Sequence, residues 1–129
     1  GQLSGFAKYP DIEFFLEHIS GIAYVYEPLL APSPEIRKAY RKNHDWLQYE
    51  AAFLELMVQR GVPKKLEPAS FEGAIALLCS EPGPEKCHRR LVADLLAQHW
   101  DSRGHATVVR HLVADKPTRK TGKMRSVSR

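Results

Sequence analysis

Residues 74–90, Ala-Ile-Ala-Leu-Leu-Cys-Ser-Glu-Pro-Gly-Pro-Glu-Lys-Cys-His-Arg-Arg, place both cysteines of the chain and several reactive polar groups at one turn. The apolar run 74–78 is short, lacks alternation and is bounded by polar, Pro and Gly residues, the pattern of a strand buried on both faces of a parallel sheet. Gly83 and Pro84 fit the N-cap and first position of a helix, with Glu85 in its first turn and Leu91, Leu95 and Leu96 on its apolar face. Cys79 and Glu81 then stand at the carboxyl end of the strand, and Cys87, His88 and Arg89 in or just after the first helical turn. In open α/β sheets, ligands bind beyond the carboxyl ends of the strands, where helix N-termini offer unpaired N–H groups and a partial positive charge. A thiol or an anion is favoured there, which makes this turn the expected site.

The remaining segments alternate. Residues 10–20 predict a short helix with Ile12, Phe15, Leu16 and Ile19 inward, ended by Gly21. Residues 22–26 predict a strand and 28–34 a loop in which Ser33 is the N-cap and Pro34 the first position of the next helix. Residues 34–60 are helical with a break at 43–45, giving a basic first piece and an apolar second piece containing Trp46, Leu47, Phe53, Leu54 and Met57, closed by Gly61. Residues 106–113 predict the last strand. Strands separated by helices argue for an α/β fold, a small three-layer domain whose mostly parallel sheet is flanked by helices.

The order of an apolar strand ending in Cys-x-Glu, a Pro-containing turn and Cys-His-Arg opening a helix resembles the bacterial and archaeal family known as domain of unknown function 488. Gly5-Phe6-Ala7-Lys8, Gly21-Ile22-Ala23-Tyr24 and Arg110-His111-Leu112 resemble its Gly-Phe-x-Lys, Gly-Ile-x-Tyr and closing-strand segments, so that the likeness runs in order over residues 4–112. The resemblance implies that a strand, a helix and a second strand precede the Gly-Phe-x-Lys segment, so this chain corresponds to the family's carboxyl portion, apparently lacking the first strands. Glu27-Pro28-Leu29-Leu30 departs from the Leu-Gly that more often follows the Pro turn. It also implies that Lys8 and Tyr24 approach the site. It brings no reaction with it.

A chain of 129 residues with 43% hydrophobic content suits a single domain, here 1–113, with 114–129 as a basic tail expected to be disordered. The net charge of +4 belongs to that tail: six of the 19 basic residues lie between Lys116 and Arg129 with no acidic residue among them, leaving 13 basic against 15 acidic elsewhere. The tail could hold phosphates weakly, or simply solubilise the terminus. No stretch approaches the roughly 18 apolar residues of a membrane span, and no secretory signal is visible, so a cytoplasmic location is expected.

Four chemistries suit the turn. Cys87, beside a helix N-terminus, His88, Arg89 and Arg90, could be a lowered-pKa nucleophile with Glu81 as acid or base, although its register with Leu91 and Leu95 also suits a buried, inert thiol. Cys79 and Cys87 could pair as a disulfide or redox couple, but their spacing is not Cys-x-x-Cys and nothing places the chain in an oxidising compartment. Cys79, Glu81, Cys87 and His88 offer metal-binding atoms, yet adjacent helical residues point about 100° apart; no metal and no cofactor is expected. Finally, the helix N-terminus and Arg89 could hold a phosphate or carboxylate without covalent chemistry.

The expected site residues are therefore Cys79, Glu81, Cys87 and His88 for catalysis and Arg89, Lys8, Tyr24 and His111 for ligand binding. The expected function is an enzyme-like site for a phosphorylated, nucleotide or nucleic-acid ligand, with a non-catalytic ligand- or nucleic-acid-binding module as the alternative. Sheet edges left open would suit a homodimer.

Overall fold

The computed structural model describes residues 5–71 and 73–115; the basic stretch from Lys116 onward lies outside the described residues. A single turn at Gly5–Ala7 leads into helix α1 (Asp11–Phe15), which widens into a π turn at Leu16–Ser20 and stops at Gly21, φ +62°. Only Ile12 of its expected inward face is buried, whereas Ile19 is 73% exposed. Ser33 and Pro34 start helix α2 (Pro34–Asn43) as the sequence suggests, the Ser33 hydroxyl accepting the Ile36 N–H at 3.2 Å. His44 then turns the chain through the left-handed region at φ 52°, and Asp45 caps helix α3 (Trp46–Gln59) by accepting the Gln48 N–H at 3.1 Å. Gly61 (φ +66°) separates α3 from the short helix α4 (Val62–Lys65), and α5 (His88–Ser102) is the longest helix described.

The core lies between α3 and α5. Tyr49, Phe53 and Met57, spaced four apart on α3, meet Leu91, Val92, Leu96 and Trp100 of α5, with Val62 of α4 closing one end. Phe53, Met57 and Val62 are fully buried, and each side chain of that size contributes about 1.5 to 3 kcal/mol by leaving water. Leu47, part of the apolar piece that forms α3, is exposed to solvent. Two polar ties fix the ends. Trp100 Nε1 donates to the Leu66 carbonyl at 2.8 Å, and the Arg60 guanidinium donates to the carbonyls of Leu29 and Ala31 at 2.7 and 2.6 Å.

The expected α/β architecture is not what forms. Helical turns take up 56% of the described residues, and these contain no strand and no sheet. Residues 22–26, 74–78 and 106–113 remain outside regular structure, and among the described residues no backbone hydrogen bond joins any two of these segments. A run of strand-forming residues is not enough, because a strand exists only when a neighbour accepts and donates its ladder bonds. Their side chains accordingly stay wet: Val25 is 71% exposed, Leu78 57% and Val108 88%.

Candidate functional site at the N-terminus of α5

Helix α5 begins four residues later than Gly83 and Pro84 suggest. Residues 80–86 form bends and a turn, and Cys87, in extended geometry (φ −139°, ψ 129°), is the N-cap of a helix that starts at His88. The Cys87 carbonyl accepts the Arg90 N–H at 3.2 Å, closing the first turn. Arg90 pins the preceding bends by donating from Nε to the Pro84 carbonyl at 3.1 Å, while its guanidinium reaches Glu50 of α3 and Asp94, each at 3.5 Å. The turn is thus fastened to the α3–α5 core.

The late start carries Cys87 into the core, where it is 1% exposed, and brings its sulfur within 2.9 Å of the Cys79 sulfur. Both cysteines are free thiols. Cys79 is half-buried, and its sulfur accepts the Glu81 N–H at 3.4 Å. Burial, and then the hydrogen bond to Cys79, push the Cys87 thiol up from an ordinary 9.0 to about 11. His88 faces inward too, with its ring 5.8 Å from that of Phe53. Desolvation lowers its pKa; Glu81, the next largest influence, pulls it upward, and Arg89 and then Arg37 act in the same direction as burial.

Two residues that the sequence does not single out join this cluster. Tyr49 of α3 has its phenol pushed up to about 12, chiefly by burial and then by the nearby Cys87, while Arg37 of α2 opposes the shift. The signal for Tyr49 is its four-residue spacing with Phe53, which sets both on the face that α5 covers. Arg37 belongs to the basic first piece of residues 34–60, which reads as a solvated face; its effect on His88 depends on how α2 folds back.

A groove of about 190 Å³ runs beside the cluster. Residues 75–77 and 107–112 form its walls, and Arg89, Ala93, Leu96 and Trp100, one stripe of α5, form its floor. Its charged and titratable lining consists of Arg89, Arg110 and His111, with no acidic side chain. Arg89 and His111, expected at one site, therefore do line one groove. Lys8 and Tyr24 do not line it: Tyr24 stacks on Tyr9 with ring centroids 6.4 Å apart, and Lys8 sits in the turn before α1, its carbonyl accepting the Ile12 N–H at 2.8 Å. Among the described residues no group of three or more His, Cys, Asp and Glu is arranged to hold a metal ion, nor is any helix long and apolar enough to cross a membrane.

Comparison with curated proteins and with solved structures gives no match. The sequence model of one family does match, over residues 5–96, a span that takes in the thiol pair, the capping turn, the core face of α3 and that of α5 as far as Leu96. The chain belongs to the family described as domain of unknown function DUF488.

Proposed function

We propose that the chain is an enzyme-like domain that takes a small phosphorylated or nucleotide-like anion into the groove over α5. The observation that carries this reading is the position of Arg89. It belongs to the groove floor and also directly follows Cys87 and His88, so an anion held there stands next to the thiol cluster. Arg110 adds a positive charge and His111 a ring nitrogen from the facing wall, and the apolar stretch around Leu96 and Trp100 suits a planar, uncharged body attached to the anion. In this reading His88, kept neutral by burial, accepts a proton, Glu81 exchanges one near the mouth, and Cys79, two residues along the wall from Leu77, is the thiol that a ligand can reach. Lys8 and Tyr24 have no part in ligand contact here.

Titration with inorganic phosphate and with adenosine monophosphate, followed by the fluorescence of Trp100 or by heat, tests the assignment. Arg89→Ala is expected to weaken binding about ten- to a hundredfold, the loss of a charge-assisted hydrogen-bonding partner. Glu81→Gln is expected to leave binding in place. Affinity that survives Arg89→Ala and falls steeply with salt would assign the binding to the basic tail and the chain to the non-catalytic alternative.

A further inference from the structure

Seven residues separate the two cysteines, a spacing that is not the Cys-x-x-Cys of a redox motif. In the folded chain their sulfurs are 2.9 Å apart. The two thiols are also unequal. Cys79 lies half-buried on a segment with no regular structure, the more accessible of the two, whereas Cys87 is 1% exposed. Residues 80–86 between them are bends and turns rather than helix, so small backbone adjustments in this stretch can close a bond without moving α5. The chain holds no other cysteine to compete.

We propose that Cys79 and Cys87 are a reversible redox site, in which Cys79 is the thiol attacked by a hydroperoxide and Cys87 the thiol that resolves it into an intramolecular disulfide. The surroundings of the Cys79 sulfur suit the first role. It accepts the Glu81 N–H at 3.4 Å and faces the Cys87 thiol as a second donor at 2.9 Å. The raised pKa of Cys87 keeps its proton on sulfur and leaves it the donor of that pair.

In the first step the Cys79 thiolate forms an S–O bond with hydrogen peroxide while the O–O bond breaks. The departing hydroxide takes up the proton that Cys79 gave to solvent and leaves as water, giving a sulfenic acid on Cys79. In the second step the Cys87 sulfur attacks the Cys79 sulfur, the S–O bond breaks, and the hydroxyl leaves as water with the Cys87 proton. Two thiols lose two electrons and two hydrogens, and one peroxide becomes two waters. This site does not depend on the ligand assigned to the groove.

The test uses the full reduced chain and hydrogen peroxide alone. One equivalent of peroxide should remove both free thiols, and proteolysis without reductant should yield a fragment linking Cys79 to Cys87 within one chain, reversed by dithiothreitol. Cys87→Ala should halt at a sulfenic acid on Cys79 that dimedone captures, and Cys79→Ser should leave Cys87 unreacted. If Cys87→Ala does not fold, Cys79→Ser decides, because that position lies outside the core. Thiols that persist, links formed only between chains, or a Cys87 that reacts equally fast in the Cys79→Ser variant would each overturn the proposal.

Discussion

Where α5 begins sets the His88 imidazole toward its neutral form. Starting one residue after a buried N-cap turns the first helical side chain toward Phe53, away from water, and desolvation then lowers its pKa below the ordinary 6.5. Its protonation favours the unfolded chain, which binds the proton more readily. Stability should therefore be intact above 6.5 and decline as pH falls through and below that value. Urea midpoints measured on either side of 6.5 should separate more for the native chain than for His88→Phe, whose ring fills similar space and does not titrate; equal separations would show that His88 is not the group responsible. How these residues were legible differs by position. Cys79, Cys87, His88 and Arg89 stood out because they crowd one turn, but the assumption that Gly83 and Pro84 open the helix set Cys87 a turn too deep into it. The cap that formed is held by Arg90 reaching Pro84 and Glu50, and one of those partners lies forty residues upstream.

At the scale of elements, the helices were readable wherever a capping residue and an apolar stripe agreed. Ser33 with Pro34, the break between Asn43 and Asp45, and Gly61 all act as their chemistry dictates. The pairing of α3 with α5 was not readable in that way, since each stripe shows only that some partner exists. Phe53 sits at the centre of that pairing, fully buried, between the Tyr49 ring at 6.0 Å and the His88 ring at 5.8 Å. Phe53→Ala should lower the unfolding free energy by about 3 to 5 kcal/mol, the cost of the lost burial and the cavity left behind. Because His88 packs on that ring, the same substitution should move the imidazole titration seen by proton NMR back toward 6.5. A loss below about 1 kcal/mol would place the core elsewhere. The three extended segments show the converse limit. The apolar runs at 22–26, 74–78 and 106–113 suggest strands that do not form, because sheet formation is a property of pairs of segments that no single run records.

For the molecule as a whole, the segments that form no sheet bear on how it meets other copies. Val25, Tyr26, Val108 and Leu112 are each more than 70% exposed, on backbone that forms no ladder among the described residues. Unpaired extended backbone with apolar side chains is a template for another strand, and the chemically matching strand present in any sample of this protein is the same segment of a second molecule. We therefore expect self-association through these segments, a homodimer in the simplest closed arrangement. Light scattering across a concentration series should show the mass rising from one chain toward two. Val25→Lys and Val108→Lys together should hold it at one chain, because charge on an extended edge opposes pairing while leaving the α3–α5 core untouched. The disulfide proposed between Cys79 and Cys87 should not alter this mass, since it closes within a chain, although the chain-entropy argument gives the oxidised form about 2 to 3 kcal/mol of added stability. A mass of one chain at every concentration would mean that the exposed segments remain wet in solution, and the homodimer would be set aside.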